Sequence, residues 1–346
     1  MWHDDTWQVT HGVRDANEGA WKALRPIAYP TMCRAPSPTT LPKKPPRSLI
    51  PLALRISRPY YYLVTLWLYL LPTGGRYELF STYPFWLGLA YCTLPLNLLT
   101  YLMNDYADVA VDADNPRKGG ALLGAKEDAA RLRAVVPIAA AVQLPFLLAF
   151  AALCGAVTWP WFLAVVFVNW LYNFGPRLSS GHYPPLDLFC PCGYLLVILL
   201  SCWLNNLPYP PQKSFMHAAI LVVRTQLWIQ TFDADADAAA GRRTTAVRLG
   251  VRGAQVALLC LLLSEVAYVQ AHFDNWPLQS FSAASVAMLG AQALLTSRSG
   301  AGKGEQELFE RTPPAMSPAS INAIFLVLGA GGLGLMVRVW LDAAFA

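Results

Sequence analysis

The chain has 346 residues, of which 55% are hydrophobic and only 14% charged, and its mean hydropathy is +0.36. Ordinary soluble domains carry about 25% charged residues, so this balance excludes a typical soluble enzyme and points to a polytopic membrane protein. The net charge of +5 is small and sits in loops, which excludes a nucleic-acid surface and marks topology instead.

Residues 1–48 come first and differ from the rest. They hold seven prolines and the run Lys43-Lys44-Pro45-Pro46-Arg47, without a sustained hydrophobic period, so a disordered leader is expected. A targeting segment is the alternative, although Asp4, Asp5, Asp15 and Glu18 suit an acid-poor transit peptide badly.

From there, apolar runs predict nine helical spans, at 56–73, 85–104, 134–155, 158–174, 187–206, 214–232, 253–272, 276–295 and 318–340. In hydrocarbon every backbone N–H and C=O needs an internal partner, so runs of this length are read as helices. The expected fold is an all-α polytopic membrane protein, a bundle of about nine transmembrane helices around a central cavity. Thirteen Lys and Arg residues fall in the loops after spans 2, 4, 6 and 8, against Arg76 and Lys213 on the other side. That asymmetry puts the N-terminus and the acidic clusters on the positive side, which is cytoplasmic, matrix or stromal.

Chemistry gathers where span 2 ends. At about 100° per residue, Asn97, Tyr101, Asn104, Asp105, Asp108 and Asp112 share one stripe, and Asp114 falls outside it. A polar stripe on an apolar helix is expected to face a cavity, because lipid penalises it. Span 6 ends alike: Gln226, Gln230, Asp233 and Asp237 share a face, and Asp235 points away. Asp108-x-x-x-Asp112 is followed, after four intervening residues, by Arg117-Lys118. Asp233-x-x-x-Asp237 is followed in the same way by Arg242-Arg243, all at one offset of 125 residues. The copies imply a four-helix internal repeat with one acidic cluster per half.

Two carboxylate pairs facing each other repel in a low-dielectric cleft, so a cation must hold them ionised. Hard oxygen ligands suit Mg²⁺, which is commonly bound by carboxylates together with substrate phosphates. The trailing Arg and Lys would grip the outer phosphate oxygens. The resulting picture is a diphosphate held between two half-bundles.

These residues resemble the two acidic motifs of the UbiA superfamily of intramembrane prenyltransferases. Asn104-Asp-x-x-Asp-x-x-x-Asp112 is similar to the first motif, and Asp233-x-x-x-Asp237 running into Gly241-Arg-Arg-Thr-Thr is similar to the second. The resemblance covers about 49–346. It implies Mg²⁺ as cofactor, a prenyl diphosphate donor and a lipophilic acceptor, which is an aromatic or quinone precursor or an isoprenoid. It implies a metal and diphosphate site of Asn104, Asp105, Asp108, Asp112, Asp233 and Asp237, capped by Arg117, Lys118, Arg242 and Arg243. Asn115-Pro-Arg-Lys-Gly-Gly120, Tyr172-Asn-Phe-Gly-Pro-Arg-Leu178 and Pro185-Leu-Asp187 are similar to the branch that includes lycopene elongases. The second motif departs from the family in carrying Asp235 where a glutamate is often found.

The alternatives are a terpene cyclase of the same fold and a transporter; rim charges with trailing basic pairs fit the latter poorly. Aromatic wall candidates for a carbocation pocket are Tyr60, Tyr61, Tyr62, Trp67, Tyr69, Trp170 and Tyr172. Asn169, Tyr172 and Asn173 share a face of span 4. Arg224 needs a partner, Glu265 is read as a structural pair with another helix, and Arg58 either snorkels to headgroups or joins the phosphate site. No histidine is given a role, and Cys190-Pro-Cys192 is read as apolar filling.

Overall fold

The computed structural model describes residues 48–112, 118–120, 124–175, 183–299 and 331–345, with backbone only for 288–299. Among them every regular element is helical. Four helical stretches, Tyr83–Ala107, Ala129–Phe174, Leu186–Leu204 and Thr245–His272, are long and apolar enough to cross a membrane.

A short helix that was not expected precedes the first expected span, 56–73. Helix α1 (Leu49–Ile56) buries Leu52, Ala53 and Ile56 and anchors at its end through Arg55, whose Nη2 donates to Glu127 Oε1 at 3.1 Å. Pro59 disfavours helical backbone at the residue before it, and Arg58 takes φ +50°. A 3₁₀ turn at Pro59–Tyr61 then starts α2 (Tyr62–Leu70). The second expected span is divided, into α3 (Tyr83–Tyr91) and α4 (Leu94–Ala107), with Pro95 in the first turn of α4. The Cys92 carbonyl freed at this break accepts from Thr65 Oγ1 at 2.5 Å and from Asn97 Nδ2 at 3.0 Å. Asn97 therefore repairs the backbone, as a polar group at membrane depth must, and is not part of a cavity-facing stripe.

The continuous helix expected through Asp112 also breaks. Asp108 sits in a turn, and α5 (Val109–Asp112) follows. The four-residue spacing survives because Asp108 N donates to Asn104 O and Asp112 N to Asp108 O.

Asp128 caps α6 (Ala129–Cys154) by accepting from Arg131 N. Inside α6, Gln143 is a buried link to the broken span: its Nε2 donates to Pro95 O at 2.7 Å and its Oε1 accepts from Tyr91 Oη at 2.9 Å. A turn at Gly155, with φ +72°, leads into α7 (Thr158–Phe174). Then come α8 (Leu186–Phe189), a 3₁₀ stretch and α9 (Leu196–Leu204). Next are α10 (Gln212–Ala239), α11 (Thr245–His272, kinked at Gly250) and α12 (Trp276–Ser299). The final described helix is α13 (Gly331–Leu341). α10 packs along α11 and α11 along α12, while α4 packs on α6 and α7. One core cluster joins Tyr69, Tyr91, Phe150, Trp161 and Trp340.

Candidate active site

The acidic ends of α4–α5 and α10 open into one cavity of about 680 Å³. Asn104, Asp108, Asp112 and Lys118 line it from the first motif, and Asp233, Asp237 and Arg242 from the second. The body below is mostly apolar, with Leu63, Val64, Trp67, Val165 and Val197 in its walls.

The two motifs meet through Arg242. Its Nη2 pairs with Asp108 Oδ1, and its Nη1 lies 3.1 Å from Asp237 Oδ1. Asp237 also accepts from Thr244 Oγ1 at 3.4 Å. Asn104 Nδ2 ties the first motif together by donating to Asp108 Oδ2 at 3.0 Å, and it reaches Asn173 Oδ1 at 3.1 Å. Lys118 Nζ donates to Asp105 Oδ1 at 2.6 Å and to Asp112 Oδ2 at 2.8 Å.

Several expectations change in place or partner. Asp105 is 2% exposed and faces Arg58 and Lys118, not the cavity. Its partner Arg58 lies in the break between α1 and α2; Arg58 also donates to Asn104 Oδ1 at 2.5 Å and stacks over the Tyr101 ring at 4.2 Å. Arg58 is thus buried beside the acidic cluster and does not snorkel. Arg243 is exposed and does not line the cavity, because the turn after α10 aims only the first of the two arginines inward. Arg117 lies outside the described residues, as do Asp114, Arg177 and the first 47 positions. Asp235 is exposed, as its helical position requires.

Of the aromatic candidates, Tyr60, Tyr61, Trp67 and Tyr172 line the cavity, and Tyr172 Oη accepts from Gln226 Nε2 at 3.0 Å. Asn169 and Asn173 line it as well. Tyr69 packs in the core, Tyr62 turns to Ser57 and Trp170 is exposed on the outside of α7. Of the Cys190-Pro-Cys192 stretch, Cys190 and Pro191 line the cavity and Cys192 does not.

Residue types alone left Asp187 without a role beyond its place in the Pro-Leu-Asp stretch. It is fully buried and accepts from Thr245 N at 2.5 Å, Thr245 Oγ1 at 2.8 Å and Gln230 Nε2 at 3.0 Å. It therefore ties the start of α11 to α10, and with them the turn carrying Arg242. Gln230, expected on the acidic face, serves this brace.

Electrostatics follow from burial. Burial pushes the Asp237 carboxyl up to about 6; Arg242 opposes this, while Asp233 and Asp108 add to it. Burial also raises Asp112, with Lys118 acting against it. Around the mouth, five carboxylates (Asp105, Asp108, Asp112, Asp233, Asp237) meet three cations (Arg58, Lys118, Arg242) among the described residues. No three His, Cys, Asp or Glu side chains there are gathered as a ready metal cage. The donor set is nevertheless all oxygen, which suits a hard divalent ion, and Arg242 between Asp108 and Asp237 marks where positive charge is required.

Residues 59–310 match the family model described as the UbiA prenyltransferase family. A lycopene elongase/hydratase of Halobacterium salinarum is 31% identical over 204 residues, covering 56% of this chain and 70% of that protein. A lycopene elongase/hydratase of Haloarcula japonica is 28% identical over 243 residues, covering 67% and 78%. A UbiA homolog from Archaeoglobus fulgidus bound to DMAPP and Mg²⁺ superposes with a TM-score of 0.55 at 19% identity, over 85% of this chain and 99% of that one. The same homolog bound to GPP and Mg²⁺ superposes with a TM-score of 0.53 at 19% identity, over 84% and 99%. At that identity the superpositions speak for the fold.

Proposed function

This chain belongs to the UbiA prenyltransferase family, and from that premise we propose that it moves a prenyl group from a prenyl diphosphate to a lipophilic acceptor, with Mg²⁺ as cofactor and diphosphate released. It is an integral membrane prenyltransferase. One observation carries the finer reading: two acidic helix ends 125 residues apart in sequence, with Lys118 and Arg242 among them, open into a single mostly apolar cavity.

In this reading Asn104, Asp108, Asp112, Asp233 and Asp237 hold the metal, and Lys118 and Arg242 hold the diphosphate. Asp105 acts through the cations it anchors, Arg117 joins them, and Arg243 stays at the outer rim. When bound, Mg²⁺ supplies Lewis-acid charge that offsets the diphosphate. Arg242 exchanges its carboxylate partners for diphosphate oxygens, and Lys118, fixed by Asp105 and Asp112, adds a second cation where negative charge develops. The aromatic faces of Tyr61, Trp67 and Tyr172 flank the path of the allylic cation and stabilise it without adding to it. The apolar walls keep water from quenching it.

The two archaeal relatives are named for elongating lycopene, which supports an isoprenoid acceptor, as does the Asn115–Gly120 stretch. The same reading has nine crossings, a repeated half-bundle, a catalytic domain at 49–346 behind a leader at 1–48, and the cavity mouth on the positive side of the membrane.

The test is pyrophosphate release by purified protein with Mg²⁺ and geranylgeranyl diphosphate, with and without candidate acceptors. Acceptor-dependent release, abolished by Asp108→Ala and by Asp233→Ala, is expected. Full activity in either variant would overturn the site. A hydrocarbon product formed without acceptor would favour the cyclase, and no release under any condition would favour transport.

A further inference from the structure

Nine residues before Asp233, α10 carries a second charged group inside the apolar body. Arg224 lies about 13 Å along the helix from Asp233 and about half a turn around it, so it serves a different lobe of the cavity. That lobe is walled by Leu258 and Leu262 of α11, Phe281 and Ser285 of α12, and Met336 of α13. Behind Arg224 stands Glu265, fully buried and in ion-pair contact with the guanidinium Nε. Behind Glu265 stands His217, whose Nε2 is 3.3 Å from Glu265 Oε1 and whose ring stacks on Phe345 at 5.3 Å. Nη2 of Arg224 has no hydrogen-bond partner among the described residues. The Ser285 hydroxyl in the lobe's wall is committed to Phe281 O at 3.0 Å.

A guanidinium only donates, and a buried donor without an acceptor is unfavourable. What completes it must bring a lone pair. Glu265 already balances the charge, so an anion here would be buried without compensation, while a neutral oxygen would not. The remaining walls demand a greasy molecule. We propose that this lobe binds the uncharged oxygen, hydroxyl or carbonyl, of an otherwise apolar lipid, with Arg224 donating to it and Glu265 and His217 holding the guanidinium in place. The proposal rests on the prenyltransferase reading and names the acceptor class for that cavity.

The experiment uses full-length protein in nanodiscs of diether phospholipid, which carry no ester carbonyl. Geranylgeraniol and the hydrocarbon of the same skeleton lacking the hydroxyl are titrated, with quenching of tryptophan emission as the readout, since Trp67 and Trp228 line the cavity. Wild type should bind the alcohol at least about tenfold tighter than the hydrocarbon, the worth of one hydrogen bond to a charged donor. In Arg224→Met the ratio should fall to about one. Arg224→Gln, which keeps a neutral donor, should fall between, and it carries the test if the methionine variant does not fold. A wild-type ratio near one, no binding of either lipid, or a ratio unchanged by both variants would overturn the proposal. Repeating the titration in diester discs separates the sources of the oxygen: a ratio that collapses there assigns the lobe to bilayer ester carbonyls, and one that persists assigns it to a free lipid alcohol. Mg²⁺-dependent binding of geranyl diphosphate, read in parallel, reports on the donor site alone, so its failure is distinguishable from failure at Arg224.

Discussion

Replacing Asp187 with alanine is expected to cost about 4 kcal/mol. The carboxylate is fully buried and accepts three hydrogen bonds, from Thr245 N, Thr245 Oγ1 and Gln230 Nε2. The Thr245 hydroxyl can rotate to another acceptor. The Thr245 N–H in the first turn of α11 and the Gln230 amide cannot, and each buried donor left unsatisfied costs about 1–3 kcal/mol, so two such losses centre on the stated value. Asp187→Asn keeps one acceptor oxygen but turns an amide toward a donor, and about half that loss is expected. The assay is SDS titration of the protein in mixed micelles, followed by tryptophan fluorescence. Glu78→Gln, a largely exposed side chain, serves as control and should stay within about 0.5 kcal/mol. Because the brace also positions the turn carrying Arg242, pyrophosphate release should fall in Asp187→Ala even where the protein is folded. An unfolding midpoint equal to that of the control would refute the brace.

Arg242→Gln removes the bridge between Asp108 and Asp237 and is expected to lower kcat for pyrophosphate release by about 10²–10³, the loss typical of a single donor aimed at developing charge; a change under tenfold would sink its role. Lys118→Met leaves buried Asp112 without its cation and Asp105 with Arg58 alone, and should destabilise the fold by about 3–5 kcal/mol, read by the same SDS titration. The pH dependence follows from Asp237, whose carboxyl is raised to about 6 in the fold against about 3.9 when unfolded. Its protonated form is the one the fold favours, so its contribution to stability is complete below pH ~3.9 and is lost as pH rises through about 6. A cation that holds the ionised carboxylate should matter most above that point. The thermal shift on adding Mg²⁺ should therefore be larger at pH 7.5 than at pH 5.0, and a shift independent of pH over that interval would contradict the assignment.

Apolar run length, loop charge and the doubled acidic motif were legible without coordinates, because each is a local pattern that membrane physics reads directly. Hydrocarbon demands helices, and the repeat of Asp108 and Asp112 at Asp233 and Asp237 needs only counting. The break before Pro95 also had a local signal, yet periodicity overran it, since both halves of that span are apolar, and the short helix before Pro59 was missed. What no local pattern could decide is which distant side chain completes each buried charge. Asp105 is held by Arg58, 47 residues away, and Asp108 by Arg242, 134 residues away. Arg224 meets Glu265, with His217 behind it, and Asp187 meets the start of α11. A charge inside a bilayer must find a partner, but helix packing chooses which one, and packing is a property of the bundle as a whole.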